Sequence, residues 1–201
     1  VLSILALIGI IYGALVALAQ EDVKSLVAYS SVAHMGFIVL GTFVLTPQAV
    51  SGAVLQMVNH GLITGGLFFL VGVIYERTHT RDLKAFGGLS IKLPVFYGVM
   101  MVTAFASLGL PGLAGFISEF LIFRGAFHTI PIFAILGIIA IVLTAAYILY
   151  KIIQYVFLGE FSEEKWNKIY DADHWPFKMD MAPFELITMA PLVVGMIVIG
   201  I

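Results

Sequence analysis

AFASLGLPGLAGFISEFLIFRGAF (residues 104–127) is apolar enough to enter a bilayer, yet it contains a helix breaker and a carboxylate. Proline removes a backbone donor and clashes with the preceding turn, so Leu110-Pro111-Gly112 predicts a break in the helix. Gly112 and Gly115 should allow the backbone angles that the break requires. The helical pattern then resumes with Glu119 in its first turns, where the partial positive charge of a helix N-terminus suits an anion.

Glu119 is the leading candidate for a functional residue. Broken backbone inside a membrane is tolerated where protein buries it or where it lines a wet cavity. An ionisable side chain at such a place marks a functional site by default, and packing alone does not require a carboxylate there. Pro111 and the glycines are also compatible with a simple kink.

The composition is that of an all-α protein that crosses a membrane several times. The 201 residues are 61% hydrophobic and 11% charged, with a mean hydropathy of +1.09, against about 45–50% and about 25% in soluble domains. The absence of cysteine excludes disulfides, thiolate metal sites and cysteine nucleophiles. There is no basic block for nucleic acid, no metal-ligand spacing and no nucleotide-binding glycine pattern, so we expect neither a metal nor a bound cofactor.

Six membrane-spanning helices account for the apolar runs, at about 20 residues per span. The fourth is the broken one, because its 35 residues would form a helix of about 52 Å in a hydrocarbon core of about 30 Å. The predicted spans are residues 2–19, 25–43, 49–75, 93–127, 130–158 and 183–201. We therefore divide the chain into a five-helix unit (1–158), a loop (159–181) and a last helix (182–201).

Lysine and arginine gather on one side of this arrangement, which the positive-inside rule makes cytoplasmic. Arg124 is the exception on the other side, periplasmic in a bacterium, where both ends of the chain also fall. The chain opens at Val1 within an apolar run, so we expect a piece of a longer protein. In the loop, a short helix should start after Ser162, and the two tryptophans should lie at the membrane interface. The cytoplasmic cations are Lys24, Arg77, Arg81, Lys84, Lys92, Lys165, Lys168 and Lys178, with Lys151 near the edge.

Polar residues recur at helical spacing on four consecutive spans, although lipid favours none. If each stripe faces inward, the four meet along a single polar axis. Histidine titrates at about pH 6.5 when unperturbed, so the two histidines, Lys24 and Glu119 could relay protons through hydroxyls and water. The stripes are Lys24, Ser31 and His34; Gln56, Asn59, His60 and Thr64; Thr103, Ser107 and Glu119; and Thr144, Tyr147, Lys151 and Gln154.

Structural roles for the same residues remain open at this point. A single histidine such as His34, or His60 beside Asn59, also serves to bond a neighbouring helix. Lys24 lies beside two acids at a helix start, as an ordinary interfacial charge would. Lys151 is long enough to extend its ammonium to the cytoplasmic surface.

Four ordered motifs resemble the antiporter-like membrane subunits of respiratory complex I. They are AQEDVKSLVAYSSVAHMGF (residues 19–37), QMVNHGL (56–62), YERTHTRDLKAFGGL (75–89) and SLGLPGLAGFISEFLIFRGAF (107–127). The resemblance implies a complete fold of fourteen helices, with two inverted five-helix repeats whose fourth helix is broken. The chain would then be the second repeat plus the last helix, the C-terminal half of such a subunit.

The resemblance also implies roles for the candidate residues. Glu119 would be the terminal carboxylate of a proton channel, where other family members carry lysine. His34 and His60 would belong to the central polar axis, with Lys24 near its cytoplasmic entrance. The predicted helix break comprises Pro111, Gly112 and Gly115, and the secondary polar residues are Ser31, Asn59, Thr144, Tyr147 and Lys151.

The function implied by the resemblance is proton translocation by an NADH:quinone oxidoreductase, coupled to quinone reduction in partner subunits. NADH, FMN, iron–sulfur clusters and quinone would bind to those partners. Neighbouring antiporter-like chains and lipid would surround this chain in a bacterial or archaeal plasma membrane. The alternatives are a subunit of a cation/proton antiporter, a subunit of a membrane-bound hydrogenase complex, and a structural subunit whose polar stripes only hold helices together.

Overall fold

Long apolar helices make up most of the chain, so the predicted all-α membrane fold is confirmed. The computed structural model describes residues 1–169 and 180–201, and the regular elements there are helical. Five helices are long and apolar enough to cross a membrane: α1 (Leu2–Ala19), α2 (Val23–Phe43), α3 (Pro47–Thr78), α6 (Pro131–Tyr147) with a π-helical extension (Ile148–Phe157), and α8 (Pro183–Gly200). The shorter helices are α4 (Pro94–Leu108), α5 (Ala114–Thr129) and α7 (Glu163–Ile169), with 3₁₀ turns at Leu83–Ala85 and Leu89–Ile91.

The fourth predicted span is divided into α4 and α5, as the proline indicated. α4 ends at Leu108, and Gly109 caps it in the left-handed conformation with φ of 74°. Pro111 and Gly112 lie in the turn that follows, and Gly112 has φ of 92°. Glycine adopts these angles without the steric cost that a Cβ imposes. The break therefore depends on Gly109 and Gly112 together with the proline.

Gly115 corrects part of the sequence-based prediction. It lies inside α5 and its φ is not positive, so it supplies no unusual backbone angle. It allows a close approach instead, because a Cβ there would clash with the carbonyl oxygen of Ala106 on α4. The sequence did not single out Gly109, since three closely spaced glycines do not show which one ends the helix.

Side-chain caps begin α2 and α3. The carboxylate of Asp22 accepts the amide of Ser25 at 2.8 Å, and the hydroxyl of Thr46 accepts the amide of Ala49 at 3.3 Å. Such caps satisfy amides that the start of a helix leaves unpaired, and Pro47 needs no donor in the first position. The two helices therefore begin at residues 23 and 47 rather than at the predicted 25 and 49.

A polar layer lies between two apolar clusters along the bundle. On α2, Leu26 belongs to the cluster at the end where α1 meets α2, and Phe37 belongs to the cluster at the opposite end. His34 lies between them. α3 and α5 repeat this order, with Asn59 and Glu119 between the two clusters. Three helices thus bring their polar residues to one depth, where they can pair only with protein or with trapped water.

Small residues let the helices approach closely around this layer. A Cβ on Gly13 of α1 would lie 2.7 Å from the backbone nitrogen of Ala33 on α2. A Cβ on Gly52 of α3 would lie 2.8 Å from the carbonyl oxygen of Ser118 on α5. Membrane helices associate through such backbone packing, since lipid is as apolar as the side chains. The second half of the broken helix is therefore packed tightly against α3.

Charged residues gather at the end of the bundle where α1 meets α2, as the distribution of lysine and arginine predicted. Lys84 Nζ lies 2.6 Å from Glu21 Oε1, and Arg81 Nε lies 3.2 Å from Asp22 Oδ2. The hydrogen bond and the negative charge of Glu21 raise the pKa of Lys84 above its ordinary value. These pairs join the connection after α3 to the turn between α1 and α2.

The loop after α6 agrees with the sequence in one respect and differs in another. α7 follows Ser162 as predicted, and the hydroxyl of Ser162 accepts the amide of Lys165 at 3.4 Å. Trp166, expected at the membrane interface, is buried because it packs into the apolar cluster at this end of the bundle. Trp175 and Lys178 lie outside the described residues.

A buried ion pair joins α3 to α8. The guanidinium of Arg77 donates to both carboxylate oxygens of Glu185, at 2.9 and 2.8 Å, and each residue is 3% exposed. Arg77 also donates to the carbonyl oxygen of Asp180 at 3.1 Å. The carboxylate of Asp180 accepts the amides of Val95 and Phe96 at 2.7 and 2.9 Å, at the start of α4. This network ties the C-terminal end of α3 to the N-terminal ends of α4 and α8.

Candidate functional site

His34 and Glu119 meet beside the helix break. His34 Nδ1 lies 3.4 Å from Glu119 Oε1, and both residues are 5% exposed. The other ring nitrogen of His34 lies 3.2 Å from the hydroxyl of Ser107, in the last turn of α4. One imidazole on α2 therefore contacts both halves of the broken helix, and its two nitrogens face a carboxylate and a hydroxyl.

His60, on α3, extends the row of titratable side chains that begins with Glu119 and His34. Its ring centroid lies 6.0 Å from that of His34. The hydroxyls of Ser31 and Thr64 lie 2.8 and 3.2 Å from the two ring nitrogens of His60. A cavity of about 10 Å³ lies between the two histidines and Glu119, about the room that one water molecule needs. Glu119, His34 and His60 thus form a short line of titratable groups with hydroxyls along it.

Asn59 holds the first turn of α5 against α3. Its amide nitrogen donates to the carbonyl oxygen of Ala114 at 2.6 Å and to the hydroxyl of Ser118 at 3.0 Å. Ser118 in turn donates to the side-chain oxygen of Gln56. These bonds fix the rotation of α5, and with it the direction in which the neighbouring Glu119 points.

Sequence reasoning named Asn59 as a secondary residue, noted Gln56 only as part of a stripe, and missed Ser118. Ser118 directly precedes the carboxylate and lies one turn after Ala114, so its position on the same helix was the available signal. The pairing with α3 was not visible, because 59 residues separate Asn59 from Ser118.

On the side away from His34, the carboxylate of Glu119 lies close to the backbone of Gly109. A Cβ on Gly109 would lie 2.7 Å from Glu119 Oε2. Any larger residue at position 109 would therefore displace the carboxylate as well as strain the left-handed cap. The residue that ends α4 thus also makes room for the acid on α5.

Gly115→Ala should destabilise the protein by about 1–3 kcal/mol, the usual cost of forcing a methyl group into a packed interior. The added Cβ would separate α4 from α5 at Ala106 and shift Glu119 away from His34. Denaturant titration of the purified full-length protein measures this loss.

Gly61→Ala on α3 is the matched control, because a Cβ there would meet no atom within 4 Å. Alanine favours a helix interior over glycine by about 0.5–1 kcal/mol, so this variant should be neutral or slightly more stable. Equal losses in both variants would contradict the role assigned to Gly115.

Lys24 lies apart from the row of titratable groups. It is exposed near the start of α2, about 15 Å along the helix axis from His34 at 1.5 Å per residue. It is on the same end of the bundle as the Glu21 and Asp22 ion pairs. At that distance it cannot contact His34 directly.

The polar stripe of α6 and its π-helical extension makes its polar contacts away from His34, His60 and Glu119. The hydroxyl of Thr144 donates to a carbonyl of its own helix at 2.8 Å. The ammonium of Lys151 donates to the carbonyl oxygen of Gln20 at the end of α1, and Gln154 is exposed. The side chain of Tyr147 lies outside the described part of the structure. The described polar row is therefore built from α2, α3 and the broken helix.

Comparison with known proteins identifies a family for this fold. Residues 1–144 match the family model described as NADH:quinone oxidoreductase/Mrp antiporter, transmembrane. A relative from Rickettsia typhi, NADH-quinone oxidoreductase subunit M, is 40% identical over 98% of this chain and 38% of its own length.

Two solved structures share the fold. A chain of respiratory complex I from Thermus thermophilus with bound NADH has a TM-score of 0.87 at 34% identity, over 99% of this chain and 40% of that one. A chain of the membrane-bound sulfane sulfur reductase, an archaeal respiratory membrane complex, has a TM-score of 0.87 at 26% identity, over 99% of this chain and 31% of that one.

The chain thus spans about two fifths of the length of the curated relative and of the complex I chain. The matched part contains α1 to α5 and nearly all of α6, and so it includes the break, His34, His60 and Glu119. This multi-pass membrane chain belongs to the NADH:quinone oxidoreductase/Mrp antiporter transmembrane family.

Proposed function

We propose that the chain is the proton-conducting part of a subunit M-like protein in an NADH-quinone oxidoreductase. The observation that carries the proposal is the contact between His34 and Glu119, 3.4 Å apart and buried beside a break in a membrane helix. A buried carboxylate and imidazole at such a place are expensive to maintain, which favours a functional role. The 40% identity to subunit M of Rickettsia typhi supports the assignment to that subunit.

In the proposed path, protons pass between His60, His34 and Glu119. His34 contacts the carboxylate directly, and the cavity between the three groups gives a water molecule room to link them. Imidazole and carboxylate groups each have a protonated and a deprotonated form, which is what a relay requires. Lys24 marks the proposed cytoplasmic entrance, and Ser31 with Thr64 orients the ring of His60.

Electron transfer belongs to other subunits in this proposal. The chain has no cysteine to ligate an iron–sulfur cluster, and the described residues contain no group of three or more His, Asp or Glu residues that could hold a metal. NADH, FMN, iron–sulfur clusters and quinone are therefore assigned to partner subunits. Neighbouring antiporter-like membrane chains and lipid complete the surroundings.

The second candidate function is a subunit of a cation/proton antiporter, which the family description itself includes. A subunit of another respiratory membrane complex is the related case, supported by the likeness to the sulfane sulfur reductase chain. Both would use the same buried row of His60, His34 and Glu119. The reaction that drives ion movement therefore distinguishes them.

The test is ion movement in inverted membrane vesicles that contain the intact complex. We expect acidification of the vesicle interior that depends on NADH and quinone and does not require sodium. Sodium-dependent proton movement by an assembly that lacks redox subunits would overturn the proposal in favour of the antiporter. Proton pumping with an electron donor other than NADH would assign the chain to another respiratory complex.

His34→Ala and His60→Ala should each lower coupled turnover, with effects that are not additive. The two rings lie 6.0 Å apart in one row, and groups that share a network couple by about 0.5–3 kcal/mol. A double-mutant cycle on pumping rate measures the coupling. His34→Ala combined with Gln154→Ala, an exposed position on the π-helical extension of α6, should be additive. Additivity in both cycles would contradict a common path.

A further inference from the structure

An apolar groove runs along the outer face of α5 and α6, away from the row of histidines. Its volume is about 460 Å³, within the range of about 300–1,000 Å³ that ligand sites occupy. Phe116, Phe120 and Phe127 line it from α5, and Ile138 lines it from α6. Phe120, Phe127 and Ile138 are each about half exposed. The groove is therefore open to whatever surrounds the chain in the membrane.

One end of the groove is cationic and lies at the end of α5 opposite the Glu21 and Asp22 ion pairs, the side that the positive-inside rule makes periplasmic. Arg124 and His128 line this end, and Arg124 is exposed. No carboxylate within residues 1–169 and 180–201 pairs with Arg124. A guanidinium on a lipid-facing helix is costly unless its long side chain reaches the headgroup region and finds an anion there. Phosphate is an anion that a guanidinium binds through two parallel hydrogen bonds.

The length of the groove matches one leaflet of a bilayer. It extends from Phe116 at the inner end to His128 at the outer end, twelve residues apart on one helix, or about 18 Å at 1.5 Å per residue. One leaflet contributes about 15 Å of a hydrocarbon core of about 30 Å. A membrane-crossing helix would need about twice this length, so an acyl chain fits the groove better than a spanning segment does.

We propose that this groove binds an anionic phospholipid of the periplasmic leaflet. Its phosphate pairs with Arg124, with His128 beside it, and one acyl chain lies along the phenylalanines of α5. The end of that chain reaches the neighbourhood of Gly109 and Glu119 and excludes water from the outer side of the carboxylate. This binding site goes beyond proton transfer and does not depend on it.

The test uses the intact complex in phosphatidylcholine vesicles that carry a photoreactive phosphatidylglycerol, with the reactive group at the end of one acyl chain. We expect the label on peptides of α5 and α6, and much less label from a phosphatidylcholine analogue with the same chains. Arg124→Ala should weaken phosphatidylglycerol labelling at least roughly tenfold, because even one charge-assisted hydrogen bond contributes that much and the bidentate contact has two. Arg124→Lys should retain most of it.

A second pair of variants tests the apolar part without touching the arginine. Ile138→Trp fills the groove, whereas Ile139→Trp on the next residue points elsewhere, and both positions are about half exposed. The first should block labelling and the second should not. Because labelling needs no turnover, its failure would leave the proton proposal untouched.

Three results would overturn the lipid site. Equal labelling by the two lipids would remove the role of the phosphate. Unchanged labelling of the Arg124→Ala variant would remove the role of the arginine. A photoreactive amino acid at position 138 that captures another polypeptide instead of lipid would assign the groove to a protein partner.

Discussion

Glu119→Gln should abolish NADH-driven proton pumping while the complex still assembles. Glutamine has the shape of glutamate and can still hydrogen-bond across helices, so the packing of α5 on α2 and α3 should survive. It cannot bind and release a proton, and it leaves His34 without an acidic partner. A positioned proton-transfer group contributes about 10²–10⁴-fold, so coupled turnover should fall at least about a hundredfold.

The measurement is the rate of acidification together with quinone reduction in vesicles, with assembly checked on native gels. Glu119→Asp keeps the acid and should recover part of the rate. Glu163→Gln removes an exposed carboxylate on α7 and should change nothing. Pumping at the wild-type rate in the Glu119→Gln variant would reduce the residue to an architectural role.

Glu185→Ala should be the most destabilising single substitution considered. It removes the two hydrogen bonds that the buried guanidinium of Arg77 donates to this carboxylate. Removing one partner of a buried ion pair costs about 3–5 kcal/mol. It also removes the acceptor for the amide of Ala182, 2.7 Å from Glu185 Oε2 at the start of α8. Denaturant titration of the purified complex should show this loss.

Two further variants separate the effect of burial from the effect of charge on the free energy of unfolding. Glu164→Ala breaks the pair with Lys168, whose side chains are 80% and 70% exposed, and should cost at most about 1 kcal/mol. Replacing both buried partners, Arg77→Met with Glu185→Leu, should recover much of the stability, since apolar residues of similar size often replace a buried pair at little cost. A loss in the Glu164→Ala variant as large as in Glu185→Ala would contradict this account.

The helices were predictable because the bilayer imposes their length and polarity. Runs of apolar residues placed the five helices that are long enough to cross a membrane within a few residues of their observed ends, and Pro111 placed the break between α4 and α5. The choice of Gly109 as the helix cap was not predictable. It depends on how α5 packs against α3, which fixes where α4 can end, and neighbouring residues in the sequence carry no information about that packing.

The candidate site was predictable in its residue types and less so in its contacts. Spacing on separate helices put His34, His60 and Glu119 on polar stripes, but periodicity cannot say which stripes meet. The stripe of α6 illustrates the limit, since Lys151 ends at a carbonyl of α1. The buried pair of Arg77 and Glu185 was missed for a related reason. Each looks like an ordinary charge at the end of a helix until the chain is folded.

The network around Asp180 has a mechanical consequence for the broken helix. The carboxylate of Asp180 accepts the first two described amides of α4, those of Val95 and Phe96. The backbone carbonyl of Asp180 accepts a hydrogen bond from Arg77 on α3. Hydrogen bonds therefore hold this end of α4 in place. The other end of α4 stops at Gly109, whose left-handed backbone allows the chain to change direction. Force arriving along α8 would be delivered to Gly109, next to the carboxylate of Glu119. Gly109, which adjoins Glu119, is thus linked through α4 to the contacts among Asp180, Arg77 and Glu185.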